Sequence, residues 1–165
     1  MDKLHYTLRP ANEWDLPAMH RVRMAAFAPI YASFRSLLEP STAACVFAHA
    51  EEDQGSYLDK VMAPSPNRGV LVALIEDDLV GFCAYAFDRK RKVGTIDLNA
   101  VDPAHASCGI GSALYEKAIE IMKQEGMLAA QVSTGGDPSH APARQAYAKV
   151  GLVEPVPSVL LCKTL

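Results

Sequence analysis

The chain has 165 residues, 16 of them basic and 19 acidic, for a formal charge of −3; half are hydrophobic and 21% charged. One core fits this length, since a domain of roughly 150 residues buries about 68–70% of its unfolded surface. The composition excludes a disordered chain, and the acidic balance argues against a general nucleic-acid binder. No apolar run approaches the roughly 18 residues of a membrane span. MDKLHYTLRP has neither the apolar core nor the small-residue cleavage site of a secretory signal. Cys45, Cys83, Cys108 and Cys162 form no CxxC pair that would hold zinc, and their thiols are expected to stay reduced in a cytoplasm. These features predict a soluble, cytoplasmic, metal-free α/β (α+β) domain over residues 1–165, with neither nucleic acid nor membrane as partner.

In chain order, Tyr6 to Pro10 reads as a short strand stopped by proline. Asp15 is expected to cap a helix whose stripe is Leu16, Met19, Val22, Ala26 and Phe27, with Pro17 in its first turn and Pro29 at its end. Residues 36–63 read as one or two helices interrupted near Pro40 and Gly55, and Pro64 to Gly69 as a loop. The period then changes. Val70 to Ile75 and Leu79 to Phe87 predict an antiparallel hairpin turning at Glu76-Asp77-Asp78. The charged run Asp88 to Lys92 reads as a solvated loop, and Val93 to Val101 as a third strand.

Ile110, Ala113, Leu114, Ala118, Ile121 and Met122 fall at helical spacing, and Gly126 sits where a glycine stop belongs. A strand over Met127 to Thr134, a helix carrying Ala143, Ala146, Tyr147 and Val150, and closing strands at Leu152-Val153 and Val159 to Leu165 complete the reading. The predicted order is β-α-α-β-β-β-α-β-α-β-β, a mixed central sheet flanked by helices.

Chemistry concentrates between Val101 and Gly111. A strand running into Ser107-Cys108-Gly109-Ile110-Gly111-Ser112 and then a helix leaves several backbone N–H groups without internal partners. Together with the positive end of the helix dipole they suit a pyrophosphate. No Lys-Ser/Thr pair follows the second glycine, so this is not a kinase-type P-loop; a third glycine is missing, so it is not a dinucleotide fingerprint.

Val101-Asp102-Pro103 followed by Gly109-Ile110-Gly111 and an amphipathic helix resembles the acetyl-CoA signature of the GNAT acetyltransferases. Leu8-Arg9-Pro10-Ala11 before Asp15-Leu16-Pro17 is similar to that family's opening. His140 to Arg144, with Tyr147 and Lys149 to Leu152, resembles its second motif, commonly Asn-x-x-Ala-x-x-x-Tyr-x-x-x-Gly-Phe. The chain departs from the pattern at Ala106, Ser107 and Cys108, where the family usually has an arginine or glutamine, a glycine and a basic residue. It departs again at His140, where asparagine is usual, and at Leu152, where phenylalanine is.

The resemblance implies a GNAT fold and an acetyl-CoA-dependent N-acetyltransferase that moves an acetyl group to a primary amine by direct attack in a ternary complex. Acetyl-CoA would lie on Asn99, Ala100 and Val101 through its pantetheine. Its pyrophosphate would lie on Ser107, Cys108, Gly109, Ile110, Gly111 and Ser112, mostly through backbone N–H groups, with hydroxyl help from the two serines. His140 would hydrogen-bond the pantetheine arm, in a pH-dependent way. An alkyl amine with a pKa of ~10.4 is only about one part in 2,500 unprotonated at pH 7, so a base is required. Similar enzymes use an acid on the fourth strand, often through water; Asp97 is the match. Strand alternation groups Asp97 with Thr95 and Asn99 as a polar stripe, although a carboxylate pairing with a neighbouring strand would look the same. A backbone N–H near Val101 would meet the carbonyl oxygen as it gains charge. Tyr147 occupies the position of the family's acid, which protonates the departing thiolate, while its ring also fits the core. No His-Cys-Asp constellation makes Cys108 a nucleophile.

Two alternatives stand beside the enzyme: a catalytically silent acetyl-CoA-binding or sensing module, and transfer of another acyl group from its CoA thioester. The expected acceptor is a small-molecule or peptide amine shaped by residues of about 27–63 and the last hairpin, and a homodimer is open to the chain.

Overall fold

A computed structural model describes residues 5–165. Strand β1 (Thr7–Pro10) leads through a short turn to three helices, α1 (Leu16–Ser36), α2 (Pro40–Val46) and α3 (Ala50–Met62). Strands β2 (Arg68–Ile75), β3 (Asp78–Asp88) and β4 (Val93–Val101) follow, then α4 (Ile110–Gln124), β5 (Ala129–Val132) and α5 (Ala141–Lys149). The sheet runs β1-β2-β3-β4-β5, with antiparallel neighbours except for the parallel pair β4-β5. It is an α+β fold with a mixed five-stranded sheet between two helical layers. Met19, Val22 and Leu58 pack α1 and α3 on one face, and Leu114, Ala118 and Met122 pack α4 on the other.

The order departs from the sequence reading in four places. Residues 36–63 divide into α2 and α3, so three helices precede β2. Helix α1 continues through Pro29 because its second half is held by tertiary contacts: Tyr31 donates to the Ala50 carbonyl, and Arg35 pairs with Glu51 at 2.7 Å. These outweigh the one N–H that proline removes. Asp15 is turned back rather than capping α1. Its carboxylate takes Arg9 at 2.7 and 2.8 Å and the Asn12 N–H at 2.7 Å, while Asn12 caps the preceding turn. Arg9 holds the Asp15 carboxyl below the usual carboxylate range, against the opposing effect of burial.

The fourth correction is at the C-terminus. The predicted closing strands are absent, and residues 152–165 carry no regular pairing. Pro155 and Pro157 lack the N–H groups a ladder would need. Val156 between them and Leu161 beyond them are 94% and 88% exposed, so the core does not recruit these residues.

Two features of β4 position the site. Parallel pairing with β5 stops at Ile96↔Val132, so β4 continues from residue 97 to 101 with nothing on that side, and the two strands part. Between Ile96↔Tyr85 and Asn99↔Cys83 the register shifts, with Asp97 and Leu98 set against the single residue Ala84. This β-bulge breaks the period-two alternation.

Candidate active site

A cleft of about 900 Å³ opens where β4 and β5 diverge, and reaches from the start of α4 to the α1–α3 layer. At one end the chain leaves β4, makes a turn at Pro103–His105 capped by the Asp102 carboxylate, and enters α4 through Ser107 (φ 64°) and Gly109 (φ 83°). Gly109 takes the left-handed conformation that glycine adopts without strain. The first bond of α4 runs from the Ala113 N–H to the Gly109 carbonyl, so the N–H groups of Ile110, Gly111 and Ser112 precede it and point out of the helix end. Gly111 has ordinary helical backbone. A Cβ built there would lie 3.6 Å from the Tyr115 hydroxyl and 3.7 Å from its ring. Neither strain nor crowding inside the protein requires glycine at 111, and glycine inside a helix costs about 0.5–1 kcal/mol relative to alanine. A side chain at 111 would lie beside Tyr115, where both residues border the cleft. That open cradle with its N–H donors fits the pyrophosphate of a CoA thioester.

Of the turn's six residues, Ser107, Gly109, Ile110, Gly111 and Ser112 line the cleft. Two need qualification. The Ile110 side chain is buried in the core, leaving only its backbone to face a ligand. Cys108 does not line the cleft; its thiol turns to the Ala106 carbonyl. Asn99, Ala100 and Val101 border the cleft along the unpaired edge of β4.

The bulge sends Asp97 and Asn99 in opposite directions, so the expected stripe of Thr95, Asp97 and Asn99 does not form. Asp97 turns to the α3 layer, where the Tyr57 hydroxyl donates to its Oδ2 at 2.5 Å while the Leu98 N–H donates to Oδ1 at 2.9 Å. This bond to the carboxylate, aided by burial, pushes Tyr57 up to about 12, so it stays a proton donor. Asn99 turns to the α4–α5 layer. Its Nδ2 donates to the Asp97 carbonyl at 2.8 Å and to the Tyr147 hydroxyl at 3.1 Å, and its Oδ1 accepts from Tyr115 at 2.7 Å. The Tyr115 and Tyr147 rings pack with centroids 4.7 Å apart. Burial pushes Tyr147 above the ordinary tyrosine range, while the bond from Asn99 pulls it back. Tyr147 is thus both core ring and cleft hydroxyl.

His140 also borders the cleft, stacked on Phe34 with centroids 5.4 Å apart. Its Nδ1 is held by Asp137 at 2.7 Å, which leaves Nε2 for a ligand. Burial pushes the Asp137 carboxyl up, but hydrogen bonds from Ser139 and His140 outweigh it and hold it at about 2. Arg144 closes this loop through the carbonyls of Gly135 and Asp137, at 2.5 and 2.8 Å.

The sequence profile of the Acetyltransferase (GNAT) family matches residues 31–152. The chain belongs to the GNAT acetyltransferase family. The profile takes in β4, the glycine turn, α4 and α5, and so includes Asp97, Asn99, Tyr115 and Tyr147. No curated protein matches the chain. Among solved structures it resembles the aminoglycoside N-acetyltransferase AAC(6')-Iy in complex with CoA, at 13% identity and a TM-score of 0.67, over 98% of this chain and 96% of that one. A similar likeness holds for the aminoglycoside acetyltransferase meta-AAC0020 from an uncultured soil metagenomic sample, in complex with sisomicin. There the identity is 20% and the TM-score 0.64, over 97% and 96% of the chains. The ribosomal-protein-S18-alanine N-acetyltransferase from Escherichia coli aligns at 18% identity and a TM-score of 0.63, over 89% and 77%. At these identities the likeness is one of fold.

Within this GNAT cleft three residues escaped the sequence reading. Tyr115 lies at helical spacing from Ala118 and Met122 and was legible as part of the α4 stripe. Asp137 stands three residues before His140, a separation that a short helical turn closes. Tyr57 gives no signal, because its partner lies 40 residues away on another element.

Proposed function

We infer that the chain is an acetyl-CoA-dependent N-acetyltransferase acting on a primary amine. One observation carries this reading: a carboxylate, Asp97, and a phenol, Tyr147, enter the same cleft from opposite faces of β4, at the point where the strand loses its neighbour. Direct acyl transfer needs a base on the amine's side and an acid on the sulfur's side. Acetyl-CoA, when bound, supplies the thioester carbonyl; Gly109 to Ser112, the edge of β4 and His140 would hold it. Asp97 accepts the amine proton, directly or through a water, as the nitrogen–carbon bond forms. A β4 backbone N–H near Val101 donates to the carbonyl oxygen as it gains charge. Tyr147 gives its proton to sulfur as the carbon–sulfur bond breaks, and exchange with solvent returns each group to its starting state.

The domain reads as one unit over residues 1–165, with the acceptor entering from the α1–α3 side, where Phe27, Tyr31, Asp53 and Tyr57 border the cleft. Incubating wild type and Asp97→Asn with acetyl-CoA and a panel of aminoglycosides, amino acids and peptides tests this reading. Asp97→Asn should keep acetyl-CoA affinity and lose roughly 10²–10⁴-fold in turnover at neutral pH, partly regained as pH rises. Wild-type turnover in Asp97→Asn removes its role as base. Binding of acetyl-CoA with no amine of the panel acetylated favours a sensing module instead.

A further inference from the structure

The Tyr147 hydroxyl lies 3.1 Å from Asn99 Nδ2 and 3.3 Å from Asn99 Oδ1, against both ends of one amide. The two contacts have opposite consequences. If Tyr147 donates to Oδ1, its proton is spent inside the protein. If Nδ2 donates to Tyr147, the hydroxyl oxygen is the acceptor and the proton is left for the cleft. Tyr115 is the third party. Its hydroxyl is buried and reaches Oδ1 at 2.7 Å, much closer than Tyr147 does. Nδ2 is meanwhile tied to the Asp97 carbonyl at 2.8 Å, which fixes which end of the amide faces which way.

We propose that Tyr115 is a positioning residue: by occupying Asn99 Oδ1 it turns the amide so that Nδ2 donates to Tyr147, leaving the Tyr147 proton directed into the cleft. The inference rests on the acid role given to Tyr147 above. The same arrangement favours loss of the proton from Tyr147 and not from Tyr115. Nδ2 stabilises a phenolate at 147, whereas burial and the neighbouring Tyr147 push Tyr115 up. Cys83 on β3 also faces this pair; burial pushes its thiol up, so it brings no charge to the network.

Ring-carbon NMR of protein labelled at tyrosine Cζ reads this directly, with Tyr147→Phe assigning the resonance and no acceptor needed. In Tyr115→Phe the ring contact stays and only the hydroxyl goes. The Tyr147 signal should then titrate about half to one pH unit higher than in wild type, the effect of losing one net hydrogen bond to the ionised form. Acetyl-CoA affinity should be unchanged. Asn99→Leu gives a second reading should Tyr115→Phe fold poorly, and must raise the Tyr147 midpoint at least as far. An unmoved midpoint in either folded variant overturns the proposal and leaves Tyr115 as packing. Wild-type turnover in Tyr147→Phe would instead remove the acid role while leaving this hydrogen-bond readout intact, so the two failures are distinct.

Discussion

Gly111→Ala should make the protein more stable and its ligand weaker at once. The added methyl meets the Tyr115 hydroxyl at 3.6 Å and its ring at 3.7 Å, ordinary contacts that displace nothing. Replacing a helical glycine by alanine gains about 0.5–1 kcal/mol. In a chain of this size each kcal/mol moves Tm by about 2–4 °C, so the free variant should melt roughly 1–4 °C above wild type. The methyl also stands at the cleft's border, next to the N–H groups that precede the Ala113–Gly109 bond. In wild type, acetyl-CoA at ~100 times its Kd should stabilise by about 2.7 kcal/mol. If the methyl weakens binding ~30-fold, about 0.9 kcal/mol remains at the same concentration. Scanning both proteins with and without acetyl-CoA yields the four melting temperatures needed. A full acetyl-CoA shift in Gly111→Ala would show that no ligand approaches this residue. A fall in the free variant's Tm would show that glycine at 111 answers to packing after all.

Two further outcomes follow from the same geometry. Tyr147→Phe keeps the ring against Tyr115 and removes the hydroxyl, so kcat should fall with folding and acetyl-CoA affinity preserved; the high-pH limb of the wild-type rate profile should flatten. Wild-type kinetics across the pH range would leave Tyr147 as core alone. Asp137, held at about 2 by Ser139 and His140, has a folded pKa below its unfolded value of about 3.9. Its contribution is therefore present above pH ~4 and lost as pH falls towards 2. Asp137→Asn should lower stability at neutral pH and flatten that acid limb in urea titrations, whereas an unchanged acid limb would mean that the loop's hydrogen bonds contribute nothing net.

Where local chemistry dictates the chain's path, the sequence was readable. The glycine turn, the α4 stripe ended by Gly126 at φ 78° and the nine residues of β4 all stand where residue type and spacing put them. Asp97, Asn99 and Tyr147 do border one cleft. What failed was inference across distance. Proline at 29 reads as a stop because propensity is local, while Tyr31 and Arg35 hold the helix through Ala50 and Glu51. Val159 to Leu161 has strand composition, but composition offers no partner once Pro155 and Pro157 interrupt the approach.

The bulge in β4 is the most consequential feature that alternation could not reveal. With strict period two, Asp97 and Asn99 would share a face, and Tyr57, Tyr115 and Tyr147 could not divide them between two layers. Setting Asp97 and Leu98 against Ala84 alone turns Asp97 towards Tyr57 and leaves Asn99 facing Tyr115 and Tyr147. One carboxylate and one phenol then approach the unpaired edge of β4 from opposite layers. An amine and a thioester meeting there in line would find the proton acceptor on one side and the proton donor on the other. Neither residue type nor spacing encodes that division. It arises from one extra residue in a ladder, which places Asp97 and Tyr147 on opposite sides of one strand edge.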